Sequence, residues 1–116
     1  NCGILSSLEP PYLAPLVEAG LRRVAAAIRD TAPPPPGDPL AHAARARRLA
    51  ELHSRRARWW AVLERGIVGD HDMPMVHAQA AYAAVTVAER EARFWSDTAA
   101  DWTARAGSIA AARAAG

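Results

Sequence analysis

Lysine is missing from this chain of 116 residues, and all 14 of its basic residues are arginine. Cysteine occurs once, at Cys2, which excludes an internal disulfide and any zinc site built on several thiolates. Bulky aliphatic side chains are scarce. Alanine supplies 29 of the 59 apolar residues, whereas Leu, Ile, Val and Phe together number 21. That share borders on compositions that stay unfolded, but such chains also carry a large net charge, and here it is +2. No run approaches the roughly 18 consecutive apolar residues that a membrane span requires. The length allows one domain. Arginine without lysine, together with the alanine and proline bias, suggests GC-rich coding and a bacterial or phage source.

What remains is helix-forming material. Alanine is the best helix former but buries little area, so its helices must pack closely to gain stability. The pattern predicts an all-α fold: a three-helix antiparallel bundle with long second and third helices. An irregular lead-in covers 1–12. A first helix over 13–31 carries Leu13, Val17, Leu21, Val24 and Ile28 on one face, with Pro15 in its first turn. Gly20 either weakens that helix or lets a neighbour approach. Four consecutive prolines, Pro33 to Pro36, stop it and make 32–38 a stiff spacer, a reading favoured over a ligand for an SH3-like domain.

Asp38-Pro39 is a helix start, with a capping carboxylate followed by proline at the first position. The second helix is expected over 39–66, its apolar arc formed by Leu49, Leu52, Trp59, Leu63 and Ile67. Gly66 or Gly69 would close it as a left-handed cap. Asp72 would cap a third helix over 73–106, and the alanine-rich residues 107–116 would fray. That helix holds a seven-residue repeat of Ala81, Ala88, Trp95, Trp102 and Ile109, the spacing of long antiparallel or coiled-coil packing. Glu91 and Arg105 point to the same side and would pair with Arg45 or Arg56 of the second helix, or with a second copy of the chain. Trp59 and Trp95 are expected in the core, and the four tryptophans in one aromatic cluster.

The residues that bear chemistry do not form a catalytic set. Cys2 has no histidine near it in sequence, and no glycine-rich phosphate loop is present. None of the four histidines has a helical partner at spacing three or four, and no Glu-x-x-His pair occurs. His71 and His77, with Asp70 and Asp72, are the only cluster of potential ligands, and capping carboxylates beside surface imidazoles explain them better than a metal. No cofactor is expected. Cys2-Gly3 resembles the start of a mature bacterial lipoprotein, although a lipidated cysteine would occupy position 1; a cytoplasmic location is expected instead.

Two functional expectations follow. The thin core favours a non-catalytic helical interaction or structural subunit, acting as an oligomer or within a larger bacterial or phage assembly. Its partner-binding residues would be Trp60, Trp102, Arg105 and Ile109. The alternative is nucleic-acid binding through an arginine stripe on the second helix, formed by Arg47, Arg48, Arg55, Arg58 and Arg65.

Overall fold

The computed structural model describes residues 10–116, with side chains from Leu13 onward. Residues 1–9 of the expected lead-in, Cys2 among them, lie outside the described residues. Three helices follow one another: α1 (Pro10–Arg29), α2 (Pro39–Val68) and α3 (Met75–Ala115). No strand occurs among the described residues.

The expected helix starts are right in one case and displaced in two. Asp38 caps α2 as anticipated: its Oδ1 accepts from the Ala41 N–H at 3.1 Å, with Pro39 at the first position. α1 begins at Pro10, so residues 10–12 belong to the helix and not to a lead-in, and Pro15 lies inside it. α3 begins at Met75 with Pro74 at the N-cap and no side-chain cap. Asp72 is therefore not the cap; its backbone N–H is itself held by the Asp70 carboxylate at 3.0 Å.

The ends differ as well. α1 stops at Arg29 because the proline run ahead supplies no N–H donors. The last turn is closed by the Thr31 hydroxyl, which donates to the Ala27 carbonyl at 2.7 Å. Gly37, at φ 87°, makes the reversal before Asp38. α2 runs past Gly66 to Val68, and Gly69 caps it in the right-handed region at φ −75°. Neither glycine takes the left-handed cap. α3 continues through Gly107 to Ala115, so the residues expected to fray form a last stretch of helix. Alanine propensity sustains it, because residues 107–116 are all exposed.

The helices pack in sequence order. α1 lies on α2 through Leu13, Val17 and Val24, all buried. Two glycines of the pair permit the approach: a Cβ on Gly20 would lie 2.1 Å from the Trp59 ring, and one on Gly66 would lie 2.5 Å from Leu13. These two contacts, Leu13 near Gly66 and Gly20 near Trp59, show α1 and α2 running in opposite directions. α3 turns back along α2 in the same way. His42 meets Trp102 near one end, and Ile67 packs with Ala78 and Ala81 near the other. Between these ends the buried side chains are mostly alanines: Ala43, Ala46 and Ala57 of α2, and Ala81, Ala88 and Ala99 of α3.

No Cα of α1 comes within 8 Å of a Cα of α3 among the described residues. α2 is thus the middle of an open, three-layered array, and the helices do not enclose one shared core. The array measures 68 × 25 × 22 Å.

Candidate interaction face

α3 exposes more large apolar surface than the other two helices. Val76, Val87 and Phe94 are 62%, 55% and 57% exposed. At 100° per residue they fall within about 20° of one another, well away from the buried Ala81, Ala88 and Ala99. The stripe is thus the side of α3 that α2 does not cover. Arg90 and Glu91 flank Val87 and Phe94, and the four side chains border a shallow hollow of about 370 Å³.

The seven-residue repeat explains what happens towards the end of α3. On a straight helix a step of seven drifts by about 20° each time. The repeat therefore begins at the α2 contact, with Ala81 and Ala88 buried, and swings outward through half-buried Trp95 and Trp102 to exposed Ile109. Trp102 stacks on His42, with centroids 4.3 Å apart and planes at 14°, and the Arg105 guanidinium lies 4.2 Å from its ring. Trp102, Arg105 and Ile109 therefore share one end of the array. Trp60 does not join them. It lies beside Leu21, Ile28 and His53, 18 residues or five turns from His42 on the same face of α2, about 27 Å along the helix.

The four tryptophans form no common cluster. Trp59 lies under α1, with Arg23 6.0 Å from its ring centroid. Trp95 meets Phe94 edge-on at 5.1 Å and carries Arg45 5.4 Å over its ring. Both Trp59 and Trp95 are half-buried, and not the enclosed core residues expected. Arg45 reaches the α3 side as anticipated, but an indole receives it and not Glu91. Among the described residues neither Glu91 nor Arg105 takes part in an ion pair.

The arginine stripe divides in two. Glu51 binds Arg48 at 3.3 Å and Arg55 at 2.5 Å. Arg47, Arg58 and Arg65 are exposed and have no carboxylate partner among the described residues. They follow one line along α2, within about 20° of one another and spanning about 27 Å.

The sequence offered no role for His53 beyond the absence of a histidine partner at helical spacing. The structure buries it to 8% exposure between the helices, with Nδ1 sealed from solvent and unpartnered. Burial lowers its pKa below 6.5, assisted by Arg56 and opposed by Glu91. Its place beside Leu49, Leu52 and Trp60 on the helical wheel was the available signal. His71, His77, Asp70 and Asp72 belong to no cluster of three or more potential metal ligands among the described residues. No helix among the described residues is long and apolar enough to cross a membrane. Comparison with protein-family models, curated proteins and solved structures finds no match to this chain, so its function is read from this geometry alone.

Proposed function

We propose that the chain is a non-catalytic helical interaction module that works as an oligomer or as a subunit of a larger assembly. The observation that supports this most is the apolar stripe Val76, Val87 and Phe94 on a helix touching only one neighbour. In a closed three-helix bundle each helix has two neighbours to cover its apolar arc. Here α1 and α3 have one each. A helix from a second molecule, laid along the stripe, would supply the missing neighbour. Trp102, Arg105 and Ile109 extend the same surface at the far end of α3, and Trp60 belongs to a different groove. Size-exclusion chromatography with light scattering tests the reading: a defined oligomer or a copurifying stoichiometric partner is expected. A monomer that unfolds cooperatively at micromolar concentration with nothing bound would overturn it.

Nucleic-acid binding is the second reading, favoured by Arg47, Arg58 and Arg65 on one line without carboxylate partners. Three phosphate contacts predict a log–log salt slope of roughly −2.7 on duplex DNA. Each Arg→Gln substitution at these positions should reduce that slope by about one. Binding that does not respond to salt would remove this reading.

A further inference from the structure

We propose that α3 pairs with α3 of a second copy of this chain, parallel and in register, along the stripe Val76, Val87 and Phe94. The inference rests on the reading of the chain as an interaction module and names the module's partner. The stripe is straight. Val76 and Phe94 are 18 residues apart, five full turns, and so lie on one line about 27 Å long. All three side chains are more than half exposed. The line lies roughly 125° round the helix from the buried Ala81, Ala88 and Ala99, so a second copy can approach it without displacing α2.

Two charges in the middle of the line decide the occupant. Arg90 and Glu91 border the hollow together with Val87 and Phe94. On the helical wheel they fall about 50° to either side of the stripe, Arg90 on one edge and Glu91 on the other. Both are exposed, and neither joins an ion pair among the described residues. Neither has an opposite charge three or four residues away, the spacing at which α3 itself could supply one. Glu91 lies in the field of His53, but burial lowers the pKa of that imidazole, so it offers Glu91 no positive charge at neutral pH. The same short stretch thus carries an apolar line, a free cation on one edge and a free anion on the other. It needs no foreign sequence to match it.

Symmetry then fixes the orientation. Two copies can face each other across a two-fold axis that runs along the helices or across them. In the first case the helices are parallel, each position lies opposite itself, and opposite edges meet. Arg90 then faces Glu91 of the second copy, and Glu91 faces its Arg90. In the second case the helices are antiparallel and like edges meet. With Val87 opposite Phe94, Arg90 faces Arg90 and Glu91 faces Glu91. Centred on Phe94, the antiparallel pair sets Val87 opposite Asp101. Centred on Val87, it sets Arg90 and Glu91 opposite Ala84 and Ala83, and both charges stay unmatched. Edge charges set the orientation of paired helices, and here they favour the parallel pair. Side chains on a helix lean towards its N-terminus, so each Phe94 ring reaches back over the turn of Arg90 and Glu91. Two hollows of about 370 Å³ face each other there, and the two rings fill them.

Charge reversal reads out both partner and direction. Sedimentation equilibrium on the full chain should show a dimer that Arg90→Glu and Glu91→Arg each weaken at least fivefold. An equimolar mixture of the two variants should associate at least as tightly as the parent, because every facing pair is again opposite in sign. That recovery also shows that both variants are folded. In a Cys2→Ser background, Ala83→Cys, exposed and close to the stripe line, should give a disulfide-linked dimer on mild oxidation. Residue 83 lies opposite itself in the parallel register and in none of these antiparallel ones. Association that ignores both single variants, a dimer of Ala83→Cys that does not cross-link, or a different protein seated on the stripe would overturn the self-pairing and leave the interaction module standing. A monomer with nothing bound would overturn both.

Discussion

At the scale of single residues, two glycines of identical chemistry do different work. A methyl group on Gly20 would collide with three atoms of the Trp59 ring, at 2.1, 2.5 and 2.5 Å. The ring is rigid and wedged between helices, so α1 must lift. We predict that Gly20→Ala costs about 1–3 kcal/mol in urea unfolding despite its better helix propensity. At Gly66 the obstacle is the Leu13 methyl, the far end of a side chain that can rotate. Gly66→Ala should therefore stay within about 1 kcal/mol of the parent, the helical gain offsetting the crowding. If both substitutions cost the same, the packing of α1 on α2 is misjudged. Asp38 was legible from sequence because a cap acts within four residues. Gly66 was not, since a glycine that closes a helix and one that admits a distant leucine look alike locally.

His53 gives a residue-scale pH dependence. Its pKa is lowered in the folded chain by burial, so the unfolded chain binds the proton more tightly. Stability from this residue is present above the unfolded value of 6.5 and is lost as the pH falls from there towards the lower folded value. Glu91 opposes the shift and Arg56 reinforces it, so the net direction is the one set by burial. Urea midpoints should drop on acidification below about pH 6.5, and His53→Gln should flatten that limb. An unchanged limb in the variant would assign the acid sensitivity to other groups.

At the scale of elements, α3 is the instructive case. Paired contacts at His42–Trp102 and Ile67–Ala78 place the start of α2, at Pro39, near residue 106 of α3. Beyond that point α3 has no neighbour, and Gly107 has nothing within 4 Å of an added Cβ. The sequence favoured fraying there because glycine interrupts the pattern and no large apolar side chain follows Ile109. Alanine propensity alone keeps the helix going. Gly107→Ala should slow amide hydrogen exchange around 104–112, by an amount equivalent to about 1 kcal/mol, without moving the global unfolding midpoint. A shift in the midpoint would mean that this stretch is packed against something.

At the scale of the whole molecule, the sequence made three helices readable, through proline stops, capping and the spacing of Val17, Val24, Leu49, Leu52 and Ala81. It did not show that α1 and α3 stay apart. A helical wheel reports how wide an apolar arc is, but not how many neighbours share it. The arc of α2 is broad enough for two neighbours whose backbones stay apart, and that produces an open array. We predict that Phe94→Glu, alone or with Val87→Glu, lowers the oligomer fraction in light scattering while monomer stability stays within about 0.5 kcal/mol, since both positions are exposed. Association unaffected by both charges would move the interface elsewhere.

The elongated outline has a spectroscopic consequence. Helical N–H bonds lie nearly along their axes, and all three axes follow the 68 Å direction of a particle 25 × 22 Å in section. Nitrogen-15 relaxation of a monomeric particle should therefore report one slow, almost uniform rotational correlation time across the helical amides. The amides of Thr31, Ala32, Gly37 and Asp38 and of residues 70–73, outside the helical ladders, should report visibly faster tumbling.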